Sequence, residues 1–266
     1  MCSKPKKYQH LIPKFVLRLF LNTKSYQLYD VKSRTFITKG ASNSMGKDHF
    51  YEHADYETNE IEDLLAEREN KYAPLLKKIM TGETISEDEY RLLVEFRHVS
   101  YYRSNEFLDF HNFRKNRGDD SWIQRQDWRM INGVYSPQTK ADIQKTQLKA
   151  IQNVINGTDE AFLLSLMTPL CFLYRTRGLK FILSDTGSIG LGDDQFNGVV
   201  VIVISPSFAL GFPRTTTAIG AIKELGLTSS RNHIIKSDAP DELVEIVNNA
   251  SIQRSYEFYI DPNQTS

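Results

Sequence analysis

Only two cysteines, Cys2 and Cys171, occur in 266 residues. Two thiols so far apart make no disulfide framework and no zinc site, and reduced thiols fit a reducing compartment. No net charge is present either: 33 Lys and Arg balance 33 Asp and Glu, so no global field announces a polyanionic partner. Long apolar runs are missing. The greasiest stretch, "AFLLSLMTPLCFLY", is too short to span a bilayer and is broken by Pro169, so it is read as buried core. The opening "MCSKPKKYQH" has positive charge but no apolar segment behind it, unlike a secretory leader. A cytoplasmic protein with no membrane partner is expected.

The charge that is present is unevenly spread. Met1 to Lys47 carries ten Lys and Arg against one acid, Asp30, whereas Asp48 to Glu95 carries 14 acids against five bases. The two blocks either neutralise each other across the fold or leave a basic strip that meets phosphates.

Local patterns divide the chain. "YQLYD" and "TFITK" alternate as two strands around "VKSR", a hairpin, and "GASNSMGKD" reads as a loop. "NEIEDLLAERENKYAPLLKKIM" repeats its apolar residues at helical spacing, with Pro74 expected to kink or interrupt it. "SEDE" is a capping box, Ser86 with Glu89, opening a helix that is expected to run on toward "NEFLDFHNF". "KADIQKTQLKAIQNVINGT" is an amphipathic helix closed at Asn156-Gly157, after which Thr158 is expected to cap a more buried helix. "LCFLYRTRGLKFILSD" reads as two strands around Arg177-Gly178, and "GVVVIVIS" as a central strand ended by Pro206. Helical pattern returns in "TTAIGAIKELG" and "DELVEIVNNASI". The expected class is α+β: a mixed sheet built from the N-terminal hairpin and C-terminal strands, packed on a helical middle region. One domain, residues 1–266, is expected, with a helical subdomain at about 59–168 and a candidate surface insertion at about 117–138.

Two motifs invite a catalytic reading. "FILSDTGS" presents Asp185-Thr186-Gly187-Ser188 after an apolar run, as aspartic proteases do. That chemistry needs a second carboxylate close by in an all-β fold, and the chain has no second Asp-Thr/Ser-Gly. "HFYEH" matches an inverted zinc-peptidase motif through His49, Glu52 and His53. It shows no helical apolar face, which leaves a zinc peptidase a distant third reading.

A more specific signal opens the chain. Gln9-His10-x-x-Pro13-Lys14-x-x-Leu17-Arg18-x-Phe20 resembles the start of an uncharacterised bacterial family of the domain-of-unknown-function series. The likeness continues with Tyr29-Asp30, the helix start "EIEDLLAERE", "FILSD" at 181–185 and "VVIVISP" at 200–206. The family's Asn-Pro after Ser-Asp is Thr186-Gly187 here. Some members sit in phage-defence islands, so the resemblance implies an antiviral role.

If Gln9-His10 and Ser184-Asp185 meet, a carboxylate would hold His10 in one tautomer as a general base. Lys14, Arg18, Arg175 and Arg177 would then bind phosphate. A Mg²⁺-dependent variant would draw on Asp30, Glu62 and Asp185. Each pair also has a plainer reading, the first satisfying backbone groups in a core and the second capping a turn. Tyr101-Tyr102 beside Arg103 divides likewise between core packing and a base-stacking platform. The expectation is a bacterial antiphage effector, a nuclease-like hydrolase acting on nucleic acid or nucleotides. The alternative is a non-catalytic module that senses a phage component, such as a phage protein. Oligomeric state is open.

Overall fold

A computed structural model of the chain describes residues 8–21, 25–48, 60–104, 107, 140–167, 169–191, 198–213, 215–227 and 232–264. The His49–His53 motif and the 117–138 segment lie outside the described residues.

The N-terminal hairpin forms as its pattern requires. β2 (Tyr26–Asp30) and β3 (Thr35–Lys39) pair antiparallel. The turn is closed by Asp30, whose Oδ1 accepts the Lys32 and Ser33 amides at 2.8 and 3.1 Å, an Asx turn. Before it, β1 (Tyr8–His10) leads through Pro13 into α1 (Lys14–Leu19). The "GASNSMGKD" segment is more ordered than a plain loop: a 3₁₀ turn at Ala41–Asn43 precedes β4 (Gly46–Asp48), which pairs with β1.

α2 (Glu60–Thr81) and α3 (Glu87–Tyr102) follow. Pro74 neither kinks α2 to a stop nor splits it; the helix runs through it. The lost hydrogen bond and ring clash, worth about 3 kcal/mol, are offset by the buried face of Tyr72, Leu75, Leu76 and Ile79. The Ser86–Glu89 capping box forms as read. Tyr72 donates to the buried Glu95 carboxylate at 2.7 Å and ties α2 to α3. α3 ends at Tyr102.

α4 (Lys140–Ile155) closes at Gly157, whose φ is +71°. α5 (Glu160–Met167) differs from expectation twice. Asp159, not Thr158, caps it, accepting the Phe162 amide at 2.8 Å. It is also not a buried helix: Phe162 is enclosed, but Leu164 is 52% and Met167 73% exposed.

β5 (Leu170–Arg175), β8 (Val199–Ser205), β9 (Phe208–Pro213), β10 (His233–Asp238) and the short β7 (Ile189–Gly190) form a mixed sheet in the order β10-β5-β9-β8-β7. α6 (Thr215–Glu224) and α7 (Asp241–Arg254) punctuate its later strands. The two strands read around Arg177-Gly178 part company. β5 stays in this sheet, whereas β6 (Leu183–Ser184) joins β3-β2-β11-β6, where β11 is Phe258–Ile260. Between them, Asn248 of α7 accepts from the Ile182 amide and donates to the Lys180 carbonyl. The class is α+β, with sheets drawn from the N-terminal hairpin and the C-terminal strands around a helical middle. One buried cluster takes side chains from both, among them Leu17, Leu28, Phe96, Phe181, Ile204 and Val247. Among the described residues no helix is long and apolar enough to cross a membrane.

Arg34 closes the hairpin turn with φ +58°, a left-handed conformation that costs a residue bearing Cβ roughly 1 kcal/mol. Arg34→Gly should therefore raise stability by up to about 1 kcal/mol, read as a higher denaturant midpoint; an unchanged or lower midpoint would contradict this account of the turn.

Candidate functional site

The residues singled out from sequence fall into three neighbourhoods. The first is β1. Gln9 and His10 are both buried, with His10 opposite Gly46 in the ribbon with β4. The His10 ring bonds with the Ala41 and Ser42 backbone and meets the Tyr8 ring edge-on at 5.2 Å. Burial, aided by the charges of Lys14 and Arg103, holds its imidazole down at about 4, against a smaller opposite effect of the backbone bonds. The ring is neutral at pH 7. The His10 carbonyl accepts from Arg103 Nη2 at 2.6 Å, and Arg103 Nη1 pairs with Glu69 at 2.8 Å. Arg103 is only 2% exposed. It binds α2, α3 and β1 together, a role that its place beside Tyr101-Tyr102 did not reveal. Lys14 and Arg18 lie one turn apart on the exposed side of α1.

The second neighbourhood is the Asp-Thr-Gly-Ser turn. Asp185 is 1% exposed. Its Oδ1 accepts the Tyr256 amide at 2.9 Å, and its Oδ2 accepts those of Glu257 and Phe258 at 2.8 and 3.3 Å. Three consecutive N–H groups thus converge on one carboxylate as the chain leaves α7 for β11. Ser184 sits opposite Tyr259 of β11, and Thr186 donates to the Arg254 carbonyl at 2.8 Å. Gly187 takes φ +78°, and a Cβ there would stand 3.4 Å from Ile12 Cδ1. The two ends of the chain therefore do meet, but through apolar groups. Leu11, Ile12, Leu183 and Gly187 line one small void with Phe96 and Ile202. The His10 ring turns to Ala41 and Ser42, while the Asp185 carboxylate turns to residues 256–258.

The third neighbourhood is an open groove of about 480 Å³ where the end of α2 meets β10, β5 and β9. Ile79, Leu173 and Phe208 are among its apolar lining, and Arg175, Lys236 and Asp238 among its polar lining. In register, Arg175 stands between Phe208 of β9 and Asp238 of β10. Asp238 is ion-paired with Arg177 at 3.2 Å, and Lys236 donates to the Gly82 carbonyl at 2.7 Å. The Arg175 guanidinium has no hydrogen-bond or ion-pair partner among the described residues.

No group of three or more His, Cys, Asp or Glu able to hold a metal occurs among the described residues. Of the trio considered for Mg²⁺, Asp30 closes the hairpin turn, Glu62 lies on α2 and Asp185 on the turn before β7.

Two consequences are measurable. In Asp185→Asn an amide NH₂ would face backbone donors, so stability should fall by about 3 kcal/mol; a variant as stable as wild type would show that the three bonds carry little. For His10, the folded value near 4 lies below the ordinary 6.5. Between these values the unfolded chain binds a proton that the folded chain does not, so folding weakens as pH falls through this window. His10→Gln should remove that share of acid sensitivity in denaturation measured from pH 7 to 4; equal slopes for both proteins would refute it.

No curated protein and no solved structure matches the chain. The family model described as a protein of unknown function (DUF4238) matches residues 8–263, which takes in β1 with Gln9-His10, the Asp185 turn and the Arg175 groove. The chain belongs to this uncharacterised family.

Proposed function

We propose that the protein recognises a phosphate-bearing ligand, a nucleotide or a nucleic-acid end, in the groove beside Arg175, and that it does so as a binding module of bacterial antiphage defence. The observation that carries this reading is the Arg175 guanidinium, which has no partner among the described residues and stands in a cavity of about 480 Å³. An arginine fork matches two phosphate oxygens at once. Lys236 adds a second cation, and Arg177 neutralises Asp238, the acid in the groove's lining. The half-buried Phe208 ring in the lining offers a face on which a base could stack.

Binding is favoured over hydrolysis by His10 and Asp185 because the Asp185 oxygens already accept three backbone N–H groups. A carboxylate so engaged is a poor orienter for a distant imidazole. Of the four cations read as anion binders, Arg175 lines a cavity formed by described residues. Arg177 acts on Asp238, and Lys14 and Arg18 stand on α1.

Labelled ATP and a short 5′-phosphorylated oligonucleotide, followed by fluorescence anisotropy, test this. Wild type should bind at least one of them, and Arg175→Ala should weaken it about tenfold or more, the loss of one charge-assisted fork. Absence of binding by wild type, or equal binding by the variant, would overturn the reading. Phage plating on cells expressing each protein tests the defence setting separately: protection by wild type that is lost in Arg175→Ala is expected.

A further inference from the structure

Arg97 of α3 is a second cation in an unusual position. Its guanidinium packs over the Phe212 ring, 5.7 Å from the centroid, and burial lowers its pKa. The ionisable groups that face it are Tyr90, Cys171 and Tyr102. Burial pushes all three far above their ordinary values, so none carries negative charge at pH 7. Among the described residues no carboxylate pairs with Arg97. Arg103, six residues on, differs in having Glu69. A desolvated guanidinium without a counter-charge is costly, and such charges are paired as a rule.

The hydrogen bonds show which part of Arg97 is engaged. Nη1 lies 2.7 Å from Ser165 Oγ of α5 and 2.9 Å from His98 Nε2. Ser165 donates its own proton to the Ala161 carbonyl at 2.8 Å, so it accepts from Arg97. His98 is held neutral, its pKa lowered to about 3 by burial and then by Arg97. Its ring stands edge-on to Phe162. With Nε2 as acceptor, the network assigns the imidazole proton to Nδ1. Both Nη1 hydrogens are then engaged within the protein. The other edge of the fork, Nη2 and Nε, bonds to nothing among the described residues. Two parallel N–H groups on that edge match one oxyanion.

We infer that Arg97, braced by His98 and Ser165, is a binding site for an oxyanion of the phosphate class, held bidentately on the Nη2 and Nε edge. Arg97 and Ser165 are both only partly buried, and neither Nη2 nor Nε of Arg97 is among the sealed polar atoms that lack a partner. The site stands apart from the groove of Arg175. Phe208 lines the groove and Phe212 underlies Arg97, and four residues of strand separate these positions by roughly 13 Å.

Inorganic phosphate is the probe, with chloride at matched ionic strength as the reference. Titration calorimetry on wild type should give saturable phosphate binding, and the His98 ring nitrogen resonances should shift as phosphate is added. Arg97→Lys keeps the charge but lacks the fork, and should bind at least tenfold more weakly. Ser165→Ala, at a half-exposed helix position, keeps the fold and should weaken binding severalfold by loosening the brace. Arg175→Ala should leave the His98 response intact, which separates this site from the groove. Arg97→Met should be at least as stable as wild type in phosphate-free buffer, because it removes an uncompensated charge. No saturable effect beyond chloride, a His98 response that phosphate does not elicit, or equal binding by Arg97→Lys and wild type would overturn the inference.

Discussion

The three N–H groups of Tyr256, Glu257 and Phe258 converging on the Asp185 carboxylate are the contact on which the four-stranded sheet depends. They set where β11 begins, between β2 from the start of the chain and β6 from its second half. Closing such long loops costs entropy before any apolar burial repays it. Charge-assisted bonds to backbone are strong enough, and directional enough, to hold the register once closed. The same turn places Gly187 against Ile12, so the N-terminal segment packs on what Asp185 has fixed.

Buried cations do the corresponding work in the helical layer, in two different ways. Arg103 has a carboxylate from α2 and a backbone carbonyl from β1, and its charge is absorbed by the protein. Arg97 has a serine, a neutral histidine and the uncharged Tyr90, Tyr102 and Cys171, none of which supplies a counter-charge. Two arginines six positions apart, one within α3 and one at its C-terminal cap, thus separate into a structural tie and an unfilled electrostatic demand. Arg175 repeats the second pattern at the surface, where solvent lowers the cost of leaving a guanidinium without a partner.

Local structure was largely legible. The hairpin around "VKSR", the Ser86–Glu89 box and the Gly157 helix end each involve residues within a few positions of one another, and each formed where the residue types required. Legibility failed where packing outweighed a local rule. Pro74 stays inside α2 because the helix buries four large side chains around it. α5 looked buried from its composition, yet among its described apolar residues only Phe162 is enclosed and Leu166 partly covered, while Leu163, Leu164 and Met167 are exposed.

For the candidate sites the division is sharper. The sequence by itself determined the α+β class, the hairpin and the Ser86–Glu89 helix start, and it singled out Gln9-His10 and Ser184-Asp185 without showing their surroundings; both pairs are buried. Only the tertiary structure decided what they face: His10 the 3₁₀ turn and Arg103, Asp185 the C-terminal amides. Ser165 meets Arg97 across 68 positions of chain, and Lys236 meets Gly82 across 154. Hydropathy and spacing report which face of an element is covered, because that is a property of neighbours along the chain. Which charge is left without a counter-charge is a property of neighbours in space, and it exists only once the helices and sheets have packed.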